Sequence, residues 1–97
     1  MAVLDHAALL KLPVQTKSGT PLGRVAGFEL ELDTQTIVRW QVRPKGIAAR
    51  VLKKPFLIGR EQVLSIDEEK MVVDDNVEKA LEREKARAIG LISNVEA

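Results

Sequence analysis

Two alternating stretches separated by four residues constrain this chain more than any other feature. From Leu22 to Leu32 the even positions Leu22, Ala26, Phe28, Leu30 and Leu32 are apolar, with Glu29 and Glu31 between them. From Ile37 to Arg43, Val38, Trp40 and Val42 alternate with Arg39, Gln41 and Arg43. A period of two belongs to a strand with one buried and one wet face. The link Asp33-Thr34-Gln35-Thr36 is short enough for a hairpin, so both apolar faces lie on the same side of the pair. Two registers meet that condition. One sets Glu31 opposite Arg39 and Leu30 opposite Trp40; the other sets Glu29 opposite Arg39 and Phe28 opposite Trp40. Either leaves an opposite-charge pair on the wet face, worth about 0.2–1 kcal/mol, so apolar burial and not charge holds the hairpin.

Other strands are expected around this pair. Leu10 to Thr16 is a strand candidate whose Pro13 restricts it to a strand end or an edge, and Lys17-Ser18-Gly19-Thr20 reads as the turn that follows. Downstream come Phe56-Leu57-Ile58, Val63 to Ile66 and Met71-Val72-Val73, with the polar turn Asp67 to Lys70 between the last two. Short strands at regular spacing point to a barrel or sandwich. After Val73, Asp75 or Asn76 can cap a helix starting near Val77, since residues 77–88 are strong helix formers. Its apolar stripe is thin, Val77, Ala80, Leu81 and Ala88, so it is expected to be largely solvated. The closing segment Ile89 to Val95 is more apolar and is compatible with fraying, docking on the barrel or pairing with another chain. The expected core is Leu22, Phe28, Leu30, Leu32, Val38, Trp40, Val42, Leu64, Ile66 and Val72.

A chain of 97 residues that is 45% apolar and 30% charged fits one folded domain rather than a disordered segment. So small a domain buries a modest share of its surface, which makes a homodimer a natural source of further stability. Cysteine is absent, which excludes disulfides, thiolate metal sites and a cysteine nucleophile. The start MAVLDHAALLKL lacks a basic lead and carries Asp5 and His6, so it reads poorly as a signal peptide. No apolar run reaches the roughly 18 residues of a membrane span. A cytoplasmic location is expected.

These residues resemble the PRC-barrel family over roughly Leu9 to Asp75. The resemblance lies in Leu12-Pro13-Val14, the turn Ser18-Gly19, and Leu22-Gly23-Arg24-Val25, which is similar to the family's glycine-turn signature. It continues through the hairpin Phe28 to Val42, then Phe56-Leu57-Ile58, Gln62 to Ile66, and Met71 to Asp74. The resemblance implies a mostly β fold, a small β-barrel of about six short strands with a C-terminal helix. Residues 1–75 would form the barrel domain and 76–97 the helix and tail. It also implies a non-catalytic protein–protein interaction or adaptor module, since the family's barrels serve in the photosynthetic reaction-centre H subunit, in the ribosome maturation factor and in stand-alone proteins. The stand-alone type fits this chain best.

One stretch of the sequence hints at a partner. Between Arg39 and Arg60 lie seven basic residues, Arg39, Arg43, Lys45, Arg50, Lys53, Lys54 and Arg60, and no acidic one. Such a run is most often a solvated face, but it also suits an acidic protein patch or RNA. Stacking on single-stranded RNA calls for exposed aromatics, whereas Phe28, Trp40 and Phe56 are better placed as core. A protein partner is therefore the first expectation, its identity open with a ribosomal or RNA-associated protein as one option, followed by a factor in RNA metabolism and then by a small-ligand binder. Ile47, Ala48, Ala49, Val51 and Leu52 add an apolar centre framed by charge. The acids Asp67, Glu68, Glu69, Asp74 and Asp75 read as turn and cap residues rather than as ligands of a divalent cation. His6 is the single histidine and has no visible catalytic partners, and Gly19, Gly23 and Gly27 do not precede a helix as a phosphate loop would. No catalytic constellation, cofactor motif or metal-ligand spacing is visible, so no enzyme activity is expected.

Overall fold

A computed structural model describes the backbone of residues 3–93 and the side chains of residues 3–90. Six strands form one mixed sheet: β1 (Pro13–Thr16), β2 (Pro21–Glu31), β3 (Thr36–Pro44), β4 (Phe56–Gly59), β5 (Val63–Ile66) and β6 (Met71–Val73). Three helices accompany them: α1 (His6–Leu9), α2 (Ile47–Val51) and α3 (Asn76–Ser93). The spatial order is β4-β3-β2-β1-β6-β5, antiparallel except for the parallel pair β1 and β6. Among the described residues no helix is long and apolar enough to cross a membrane.

The sheet is curled but open. Strands β4 and β5 are its two edges, yet only the 3₁₀ turn Arg60–Gln62 separates them along the chain. Six flat strands would place the edges about 24 Å apart, whereas the four steps from Gly59 to Val63 span at most about 14 Å. The sheet must therefore roll to bring its edges together. Among the described residues no ladder joins β4 to β5, so the expected six strands and C-terminal helix are present but the sheet is not closed into a barrel.

Long β2 carries the irregularities that allow the roll. Leu22 is an extra residue against β1, and Ala26 is an extra residue against β3. Each bulge shifts the face that later residues present and sharpens the local twist. Strict even-position alternation therefore fails: Val25 joins Leu22 in the core, and Ala26 does not. At the centre of the hairpin Phe28 faces Trp40 and Glu29 faces Arg39, the second of the two expected registers. Phe28 meets Trp40 edge-on at 5.8 Å between ring centroids, and the Arg39 guanidinium donates to the Glu29 carboxylate.

The core gathers Leu12, Val14, Leu22, Val25, Trp40, Val42, Phe56, Ile58, Met71 and Val73 from the sheet, with Ala48 of α2 and Val77 and Leu81 of α3. Four residues expected in the core are exposed. Leu30 and Leu32 lie where the β2–β3 hairpin runs past its neighbours, and Leu32 belongs to the turn itself, leaving it 80% exposed. Leu64 is the extra residue of a bulge in β5, and Ile66 ends that edge strand. Val38, an extra residue in β3, and Val72 are half-buried. Helix α3 is largely solvated, as expected, and its thin stripe enters the core through Val77, 1% exposed, and Leu81, 7% exposed, four residues apart on one face. Beyond Leu81 the helix is mostly exposed.

Local features of the fold have physical reasons. Residues before β1 form the short α1, whose first turn is capped by the Asp5 carboxylate accepting from the Ala8 N–H at 2.8 Å. Pro13 opens β1, the strand end that was one of its two expected positions, and that strand lies inside the sheet. Part of the basic loop folds as α2, pulled down by Ala48. Of the expected tail, residues 89–93 continue α3, and the remainder lies outside the described residues.

Candidate basic surface

The cations of the 39–60 run separate in space. Arg39 is engaged by Glu29 on the hairpin, and Arg50 and Arg60 line none of the main depressions. Arg43, Lys45, Lys53 and Lys54, in contrast, line three depressions that adjoin one another.

A cleft of about 700 Å³ at one end of β1, β2 and β3 holds Lys11, Arg24, Arg43 and Lys45. It shares Ala26, Arg43 and Pro44 with a smaller hollow of about 210 Å³. That hollow in turn shares Leu52, Lys53, Lys54 and Pro55 with a groove of about 650 Å³ between the α2–β4 connection and α3. The groove adds Val51, Leu57 and Ala88 as apolar lining and Glu84 and Arg87 as charges. Among the described residues seven cations thus follow one path, Lys11, Arg24, Arg43, Lys45, Lys53, Lys54 and Arg87, with Glu84 the one acid along it. None of the seven forms an ion pair with a described acidic residue.

Sequence order concealed three of these positions. Arg24 belongs to the acidic half of the hairpin, and the β2–β3 ladder sets it opposite Arg43. Extending either expected register toward the open end would pair Arg24 with Pro44 or Gly46; the bulge at Ala26 shifts it to Arg43. Lys11 and Arg87 carry no local signal, because only the fold brings the chain before β1 and the second half of α3 to this surface.

The remaining candidates have structural duties. Asp67 accepts from the N–H groups of Glu69 and Lys70 in the β5–β6 turn, and the Glu69 bond first, then the Lys70 bond, hold its carboxyl below the usual value. Asp74 accepts from the Asn76 N–H at the start of α3. Asp75 does not cap that helix with its side chain. Its carboxylate accepts from the Ser18 hydroxyl at 2.7 Å and the Ser18 N–H at 3.0 Å, and these bonds, in that order, lower its pKa. This clasp ties the β1–β2 turn to the β6–α3 junction. Among the described residues no three metal-ligating side chains come together. His6 lies edge-on to Phe28 at 6.5 Å. Trp40 and Phe56 are buried and Phe28 half-buried, so none of the three offers an open stacking face.

No family model matches the chain, and no curated protein matches it either.

Proposed function

We propose that this chain is a non-catalytic interaction module of the PRC-barrel type, and that the groove between the α2–β4 connection and α3 holds an acidic, partly apolar segment of a partner protein. The observation that carries this reading is the pairing of Val51, Leu52, Leu57 and Ala88 with Lys53, Lys54 and Arg87 in one groove. Apolar lining flanked by cations suits a segment with apolar anchors among carboxylates, and the charges would speed and orient its docking. Support for the PRC-barrel type comes from a curled six-stranded sheet built from the segments that carry the resemblance. RNA is the weaker reading, because cations without exposed aromatics lack the stacking on which single-stranded recognition relies.

The test is capture from native lysate by the tagged full chain and by a Lys53→Glu, Lys54→Glu variant, with and without ribonuclease, at low and high salt. A discrete protein that resists ribonuclease and is lost with the variant supports the module. Material that disappears with ribonuclease turns the assignment to RNA, and capture indifferent to the variant removes the groove from it.

A further inference from the structure

The opposite end of the basic path differs from the groove: its cleft has four cations and no acidic residue among its lining. Arg24 and Arg43 are direct partners across the β2–β3 ladder, which brings their Cβ atoms to about 5 Å and sets like charges side by side. That arrangement costs stability unless an anion neutralises it. The backbone holds these cations in place. The Arg24 guanidinium donates to the Lys11 carbonyl at 2.8 Å. Lys11 itself adopts a left-handed φ of 76°, kept there by its N–H donating to the Val25 carbonyl at 2.7 Å. The Lys45 N–H donates to the Leu22 carbonyl at 3.2 Å, which keeps its side chain at the same end.

We propose that this cleft is an oxyanion site that takes a diphosphate group, either free or carried on a small organic molecule. The guanidiniums of Arg24 and Arg43 line one cleft and can each engage phosphate oxygens, and Lys11 and Lys45 add point charges to its lining. A single carboxylate would leave most of that charge uncompensated. The cleft volume, about 700 Å³, lies in the range of small-molecule sites and exceeds what two phosphates fill. Pro13, Pro21 and Pro44 supply apolar wall for an organic body. This site is separate from the groove assigned to a partner protein, and either assignment can fail without the other.

The experiment is titration of the full chain with inorganic pyrophosphate, followed by amide chemical shifts and calorimetry, against chloride at matched ionic strength. Saturable binding is expected, with shifts centred on residues 11, 23–25 and 43–45. Arg24→Gln and Arg43→Gln should each weaken it about tenfold or more, and Lys79→Gln should leave it within about twofold. Loss of one of two repelling charges should not lower thermal stability, so Arg43→Gln is expected to melt no lower than the parent. Lys45→Gln serves as a second probe, with the same direction of effect. A nucleoside diphosphate that binds more tightly than pyrophosphate supports the site with an organic ligand, and equal affinity supports it with free diphosphate. Absence of saturation with both, an effect reproduced by chloride, or binding untouched by Arg43→Gln overturns the proposal.

Discussion

Gly23 has no room for a side chain. It adopts a φ of 154°, and a Cβ there would collide with the Arg43 carbonyl oxygen across the ladder. Gly23→Ala is therefore expected to cost about 2–4 kcal/mol in urea unfolding, from backbone strain plus displacement of β3. Gly19 also has positive φ but open space around it, so Gly19→Ala should cost only about 1 kcal/mol. The Ser18–Asp75 clasp makes a second prediction. Because folding lowers the Asp75 pKa below its ordinary 3.8, its contribution is present above that value and is lost as pH falls through the lowered one. Asp75→Asn should lower the melting temperature at neutral pH and shrink the drop in stability on acidification, while the share due to Asp67 remains. Equal acid sensitivity of variant and parent would remove Asp75 from this role. At this scale the sequence was legible where chemistry is local: the Asp67 turn follows from neighbouring residues, and strand period narrows the partner of Arg39 to Glu29 or Glu31, of which the structure takes Glu29. The clasp of Asp75 with Ser18 was not legible, because the two residues lie 57 positions apart.

Strand period located the elements better than it located their buried faces. Bulges at Leu22 and Ala26 each break the alternation, so Val25 and not Ala26 faces inward, and the bulge at Leu64 leaves that leucine in solvent. The expected core held Leu64 and not Met71, and the structure reverses the two. Met71→Ala, at a fully buried position in β6, should cost about 2–5 kcal/mol, whereas Leu64→Ala should stay within about 0.5 kcal/mol. Denaturant midpoints of the two variants check this directly. The same reasoning applies to α3, whose thin stripe still buries Val77 and Leu81. Two apolar residues one turn apart suffice to dock a helix when the surface beneath them is a curled sheet with an uncovered side.

The molecule extends 55 × 32 × 22 Å, with a radius of gyration of 14.5 Å, against about 12.5 Å for a compact domain of this length. The projecting β2–β3 hairpin and the second half of α3 account for the excess. Since Val77 and Leu81 share the core with the sheet, a chain ending at Asp75 should lose cooperative unfolding and bind a hydrophobic dye, a result that circular dichroism and fluorescence would record. A sharp, parent-like transition would instead make residues 1–75 an independent unit. By itself the sequence determined the number of the strands and their order along the chain, the hairpin with two candidate registers, and the helix that follows, because these depend on period, turn chemistry and capping within a few residues. Only the tertiary structure decided that β1 lies inside the sheet beside a parallel β6, that the sheet rolls without closing, and that Lys11, Arg24 and Arg87 join Arg43, Lys45, Lys53 and Lys54 on one surface. Those outcomes depend on bulges, on long-range pairing and on which elements cover an open side, and no local pattern of residues encodes them.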